Sequence, residues 1–379
     1  MRSRILYLQF AEPAAYPPIQ HSTQILAERG WEVVLIGTDA FGGDSLRLPD
    51  HSRILVRNVG RRVSGSNLAV LYIRFVALSL YWAWTWRPCW IYVSDPLAVP
   101  ASWIINHLTT ARMLYHEHDA PNFQTSSSKF MQAIRIFRRR LGRSVELCVI
   151  PQSERLVDFA RETRRRLPTY CVWNCPRRAE VNPKPSNDND VLVLWYHGSI
   201  NEERVPLSVV EAVVRLKGTV KLRLAGYETV GSKGHVRNLI DLAGRSGTPE
   251  VVEFVGEMPR DDLLKMAASA HVGLSLMPKS SEDVNLCQMV GASNKPFDYM
   301  ALGLPLLVSD LGDWKATFVV PQYGRACDPE SVDSIEAELR WFCTHPAERG
   351  AMARRCAEQI RAKWNYETSF APVLEAIER

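Results

Sequence analysis

Short apolar runs alternate along the chain with longer stretches whose apolar residues recur every three to four positions. Residues 5–10 form the first such run and read as a buried strand. A proline-bearing loop over 11–18 follows, then a helix over about 19–29, with Gly30 placed to end it and a second strand over 31–36. The pattern returns as strands over 90–93, 112–116, 147–150 and 170–172, with helices near 100–108 and over 153–163. Residues 175–190 carry three prolines among Asn and Asp and no apolar period, so they read as a linker. The alternation then restarts, with strands over 191–196, 220–225, 251–255, 272–277 and 306–309. Helices are expected between them over 206–216, 235–243, 259–268 and 295–302. The last segment, 346–379, is helical and long enough to return to the first half. Alternation of this kind predicts an α/β fold of two doubly wound, Rossmann-like domains facing a cleft. The expected boundaries are 1–175 for the first domain, 176–190 for the linker and 191–363 for the second, with a helix over about 364–379 packing back on the first.

One apolar run breaks the rhythm. Leu68–Trp86 is interrupted only by Arg74 and closes on Trp82, Trp84 and Trp86. Its length approaches a membrane span. Pro88 and a strand-like run follow at once, which favours a buried core helix, with an interfacial helix or a span as the alternatives.

The 379 residues are 46% apolar and 23% charged, which excludes a disordered chain. The start, residues 1–10, has too short an apolar run for a signal peptide. The eight cysteines form no paired CxxC array, so reduced, packed thiols and a cytoplasmic setting are expected. Charge is unevenly spread: residues 1–180 hold 24 Lys and Arg against 14 Asp and Glu, whereas 181–379 hold 22 against 27. The basic half suggests an anionic partner on its side. Within it, residues 129–143 combine an apolar helical stripe with Arg135, Arg139 and Arg143 on another face and Arg138 and Arg140 beside them. A second cluster, Arg161 and Arg164 to Arg166, follows. These motivate a peripheral contact with the inner face of an anionic membrane, the alternative being an ordinary solvated helix face. No nucleic-acid partner is expected.

Three segments can carry chemistry. His197-Gly198-Ser199 opens a strand-to-helix loop that ends at Arg204, where a glycine lets an anion approach the backbone and the arginine supplies charge. Asn294-Lys295-Pro296-Phe297-Asp298 opens a short helix ended by Gly303 and Pro305, with Ser293 or Asn294 placed to cap it. Lys295 there can neutralise a diphosphate and Asp298 can accept from ribose hydroxyls, unless the two simply balance a helix end. Tyr115-His116-Glu117-His118-Asp119 ends a strand of the first half. Its polar residues can be catalytic, part of the strand end, or a compressed metal cluster.

These residues resemble retaining GT-B glycosyltransferases, family-4-like members in particular. The resemblance spans nearly the whole chain and is carried by Tyr196-His197-Gly198 through Arg204, Glu211-Ala212, Leu224-Ala225-Gly226, Val255-Gly256-Glu257-Met258 and the run from Asn294 through Asp298 to Pro305. It implies a C-terminal nucleotide-sugar-binding domain and an N-terminal acceptor-side domain. It also implies donor contacts at Gly198, Ser199, Asn294 and Asp298, main-chain contacts near the nucleobase at Glu257 and Met258, and catalytic roles for Arg204, Lys295 and His118. His118 would touch the transferring sugar, with His116 and Asp119 as weaker candidates. No metal or cofactor is implied; a nucleoside-diphosphate sugar serves as donor substrate. The acceptor would be a glycan, a lipid-linked sugar or a small molecule.

The chain also departs from the family. Ser199 and Arg204 stand where many members carry Arg and Lys, Asp298 stands for a Glu, and Val290 occupies the place of the first glutamate of a spaced pair. Glu282 or Asp283 lies upstream to replace it, and residues 11–18 replace a glycine-rich loop. A GT-B scaffold that binds a nucleotide sugar without transferring it is therefore the alternative reading, and a sugar-nucleotide epimerase a third.

Overall fold

The structure, a computed structural model, describes residues 3–39, 48, 50–61, 66–94, 96–121, 129–183 and 191–379. Two compact units share the chain: Met1–Asn174 with Tyr366–Arg379, and Cys175–Asn365.

The first unit is built on seven parallel strands: β1 (Arg4–Leu8), β2 (Glu32–Asp39), β3 (Ile54–Arg61), β4 (Trp90–Ser94), β5 (Arg112–His116), β6 (Leu147–Ile150) and β7 (Thr169–Cys171), in the order β3-β2-β1-β4-β5-β6-β7. The order reverses between β1 and β4, so right-handed connections place helices on both faces. Helix α1 (Pro17–Glu28) covers one face, through Ile19 and Leu26. The opposite face is covered by α2 (Ser66–Trp86), α3 (Val99–Leu108), α4 (Lys129–Ser144) and α5 (Ser153–Thr163), through Phe75, Ile105, Leu141 and Phe159.

The second unit has six parallel strands: β8 (Leu192–Ile200), β9 (Val220–Glu228), β10 (Val252–Phe254), β11 (Val272–Ser275), β12 (Leu306–Ser309) and β13 (Gly324–Cys327), in the order β10-β9-β8-β11-β12-β13. Its helices are α6 (Leu207–Arg215), α7 (His235–Arg245), α8 (Arg260–Ala267), the single turn α9 (Val284–Cys287), α10 (Lys295–Ala301), the short α11 (Gly312–Trp314), α12 (Val332–Thr344) and α13 (Pro346–Ala362). Val209, Leu239 and Leu339 of α6, α7 and α12 share one core with the strands. The last helix, α14 (Tyr366–Glu378), returns to the first unit and packs beside α1 through Phe370 and Val373.

Four local expectations change. The 68–86 segment is a helix, but only one side of it is core: Leu71, Phe75 and Ala83 are buried while Val70, Ile73, Tyr81 and Trp84 are exposed. A helix lying on a sheet has a single face to bury. Residues 175–183 of the expected linker pack on the second unit, where Cys175 is buried and the Asn182 N–H donates to the Ala301 carbonyl at 3.1 Å, and its remainder, 184–190, lies outside the described residues. Strand β8 continues through His197 and Gly198 to Ile200, paired throughout with β9, where a loop was expected. The edge strands β3 and β13 were not expected, because Arg57, Asn58 and Arg325 interrupt their apolar pattern.

Candidate functional site

In the second unit, polar groups gather at the carboxyl ends of β8, β11 and β12. Gly198 and Gly226 face each other in register across β8 and β9, with φ of 111° and 128°. A Cβ on Gly226 would stand 2.0 Å from the Gly198 carbonyl oxygen, so the close passage of these strands requires glycine. The Lys295 side chain crosses Gly198, where an added Cβ would meet its Cε at 2.7 Å, and its ammonium stands 5.8 Å from the centroid of the Tyr196 ring.

Arg204 approaches the same tyrosine. It is buried, its Nη1 lies 2.9 Å from Met277 Sδ just beyond β11, and its backbone N–H donates to Asn201 Oδ1 at 3.0 Å. Tyr196 donates to the Ser199 carbonyl; burial raises its pKa, and the charge of Arg204 works against that rise. Met277 is itself fixed by Ser309, which takes its N–H at 2.8 Å and donates to its carbonyl at 2.7 Å. Lys295, Arg204, Gly198 and Ser199 are thus brought together.

Asp298 has a different environment from the one expected. It is 1% exposed, and Arg260 grips it with two N–H groups, at 2.7 Å to Oδ1 and 3.1 Å to Oδ2. Asn294 Nδ2 donates to Oδ2 at 2.9 Å, and His197 Nε2 lies 3.4 Å from the same oxygen. A role as acceptor for ribose hydroxyls therefore requires exchange of one of these donors. Burial alone would raise the Asp298 pKa, but Arg260 and His197 overcome it and hold the carboxyl below its usual range. Asn294 spends its side chain here and makes no cap bond, and its backbone is helical, which corrects the capping role expected of it.

His197 accepts at Nδ1 from the Trp195 indole at 3.0 Å, which places its proton on Nε2, toward Asp298. Arg260 also reaches Glu180 at 2.7 Å, tying the start of α8 to the 3-10 turn Arg178–Glu180. Sequence reasoning missed Arg260. A signal existed, for a basic residue in the first turn of a helix opposes the helix dipole and asks for a local anion.

The loop after β10 comes next to the end of β9: the Gly226 N–H donates to the Gly256 carbonyl at 2.8 Å. Glu257 is exposed, Met258 is half-buried, and Tyr227, its pKa raised by burial, is raised further by Glu257. Glu282 is exposed on the loop before α9. Half-buried Asp283 accepts the Asn285 N–H at 2.9 Å within its own turn, and Val290 is buried.

In the first unit, His116 and His118 lie against each other with ring centroids 3.9 Å apart and ring planes tilted by 38°. His118 Nε2 pairs with Ser94 Oγ at 2.7 Å, and His116 Nδ1 with the Tyr92 hydroxyl at 2.6 Å. Both are buried, and desolvation lowers both pKa values, that of His118 to about 4. Buried His118 Nδ1 and His116 Nε2 have no protein hydrogen-bond partner. Glu117 is committed to Arg138, at 2.7 Å, and exposed Asp119 to Arg155, at 3.3 Å. Among the described residues no three His, Cys, Asp or Glu side chains gather as metal ligands.

A family model described as "Glycosyl transferase-like" matches residues 208–375. Glycogen synthase from Mycobacterium tuberculosis is 25% identical over 178 residues, which make up 46% of this chain and only 39% of that protein. Sucrose-phosphate synthase from Thermosynechococcus elongatus superposes with a TM-score of 0.73 at 15% identity, covering 100% of this chain and 98% of its own. HepE from Anabaena, solved in complex with UDP and glucose, superposes with a TM-score of 0.71 at 15% identity and covers 100% of both chains. WaaG, a glycosyltransferase involved in lipopolysaccharide biosynthesis, gives 0.66 at 14% identity over 100% of this chain and 99% of its own. The fold is accordingly GT-B, two Rossmann-like units each built on a parallel sheet.

Proposed function

We propose that this protein is a GT-B glycosyltransferase that moves a sugar from a nucleoside diphosphate to an acceptor hydroxyl. The observation that carries the reading is the meeting of Lys295 and Arg204 around Tyr196 and Gly198; of these residues Lys295 lies within the stretch 208–375 that the glycosyl transferase-like family model matches, and the others lie just before it. Two fixed cations there would neutralise the diphosphate, on which charge grows as the anomeric bond breaks. Removing one such group from a transition-state site costs roughly 10²–10³ in rate. Complexes of HepE with UDP and UDP-glucose favour a uridine nucleotide as donor. Glu257 and Met258 would line the base, and Asn294 and Asp298 would hold the ribose side, Asp298 after giving up a present donor or by fixing His197 beside it. His118 would meet the transferred sugar through its unpartnered Nδ1. Retention of configuration, family-4 membership and independence of metal follow from the resemblance. A cytoplasmic setting is supported by the lack of paired CxxC cysteines, and a contact with the inner face of the membrane and a lipid-linked acceptor by the arginine clusters of the basic first half.

Calorimetry with UDP and uridine tests the site. Lys295→Ala and Arg204→Ala should each lose affinity for UDP while keeping that for uridine. Equal loss for both ligands, or none, contradicts the assignment. The replacement of a paired glutamate by Val290 favours one second reading, a scaffold that binds the donor without transferring it. Donor binding with no transfer and no hydrolysis across acceptor panels would decide for it.

A further inference from the structure

We infer that the outer surface of α2, α3 and α4 is a docking face for an anionic lipid bilayer. The proposal deepens the lipid-linked acceptor of the proposed function by assigning the surface that would reach it. Half of the large apolar side chains exposed among the described residues lie on these three helices. Val70, Ile73, Tyr81 and Trp84 run the length of α2 on its outer side, with Ile73 and Trp84 each 66% exposed, and Ile104 and Leu108 continue the patch on α3. Helix α2 is long and apolar enough to cross a membrane. Its inner side, however, is built into the core of the first unit through Leu71, Phe75 and Ala83. Crossing would strip that core, so α2 is placed to lie along a bilayer, and a tyrosine and a tryptophan among its outer residues suit the headgroup level.

Charge selects the kind of bilayer. No Asp or Glu occurs within α2, α3 or α4. The outer side of α4 exposes Lys129, Arg139, Arg140 and Arg143 around Ile136, and α2 adds exposed Arg74. This basic row adjoins the apolar patch, for Phe137 of α4 meets Trp103 of α3 at 5.3 Å and Phe130 meets Tyr72 of α2 at 5.5 Å between ring centroids. The structure also sorts the arginines that sequence grouped together. Arg138 is buried against Glu117 and Glu162, and buried Arg165 donates to the carbonyls of Gly142 and Val145. These two hold the fold and are not available to lipid.

Co-sedimentation of the full chain with vesicles of phosphatidylglycerol and phosphatidylcholine, against phosphatidylcholine alone, tests the face. Binding should need the anionic lipid and weaken with salt. Changing Arg139, Arg140 and Arg143 to Gln should cost roughly fivefold in affinity per arginine and flatten the salt dependence. Ile73→Gln with Trp84→Gln should cost at least about tenfold, and Val320→Gln, an exposed site on the second unit, nothing. Hydrogen exchange on the unaltered chain gives a readout that needs no variant: peptides of α2 and α4 should gain protection on anionic vesicles. Absence of binding, binding indifferent to both sets of changes, or protection confined to other segments would overturn the proposal. Capture by heparin without vesicle binding would assign the row to another polyanion and overturn it too. The test requires no turnover, so a chain that docks but transfers nothing refutes the transferase reading and leaves the face standing.

Discussion

At the scale of single residues, the two buried histidines of the first unit are held neutral. His118 loses water on burial, and the nearby charge of Asp119 only partly offsets this, so its pKa falls to about 4. In an unfolded chain the same imidazole titrates near 6.5. The lowered folded value means that the stability linked to neutral His118 is whole above about pH 6.5 and is lost as pH falls through about 4. Denaturant melts should therefore show the wild type losing about 2 kcal/mol more than His118→Gln between about pH 7.5 and pH 5. Equal losses would mean that His118 is not held neutral by burial. The histidine itself was legible in the sequence as a residue just after a strand, but its close contact with the His116 ring was not. His118 lies two residues past the last strand position, His116, and its ring is held against that of His116 by Ser94 while Tyr92 holds His116, both from the neighbouring strand. Arg138 is the opposite case. With Ile134 and Leu141 it falls at helical spacing on the buried side of α4, and that phase was readable, though counting arginines concealed it.

At the scale of elements, the strand ends position the chemistry, and glycine is the device. The strands of the second unit were legible as apolar runs, but the extension of β8 through Gly198 was not, because two glycines in register replace the apolar pattern there. Gly226 is the tighter of the pair, since its φ of 128° and the Gly198 carbonyl 2.0 Å from any added Cβ both exclude a side chain. Gly226→Ala should cost at least about 2 kcal/mol in stability. It should also push β9 off Gly198 and thereby displace the Lys295 methylenes that cross it. Gly218→Ala is the control. It also has a positive φ, of 81°, but its Cβ would meet nothing within 4 Å. It should lose stability through backbone strain alone and keep nucleotide affinity. If the two alanine variants behaved alike in nucleotide calorimetry, the close passage at Gly226 would have no part in shaping the site.

At the scale of the whole molecule, chain order and unit order differ. Two α/β halves were readable from the alternation of runs, and the return of the final helix from its length and position. What sequence could not supply is how completely the first unit depends on that helix. Tyr366, Phe370, Val373, Leu374 and Ile377 of α14 all belong to its core. The backbone of α14 also serves β4 and β5, for the Trp90 indole donates to the Ile377 carbonyl at 3.0 Å and Arg112 to the Ala376 carbonyl at 3.4 Å. Losing one large core side chain costs about 2–5 kcal/mol, whereas a domain is stable by only about 5–15 kcal/mol. Five such losses exceed what the first unit can bear. The second unit, Cys175–Asn365, contributes none of those side chains and keeps its own core around Leu194, Val213 and Leu339. A chain ending at Asn365 should therefore lose its first unit and keep its second. Limited proteolysis should digest residues 1–174 and leave a resistant fragment over about 175–365, and UDP should still raise the melting temperature of that fragment if the donor site lies within it. Resistance of the whole shortened chain, with the near-ultraviolet signal of both units preserved, would show that α14 covers the first unit without holding it together.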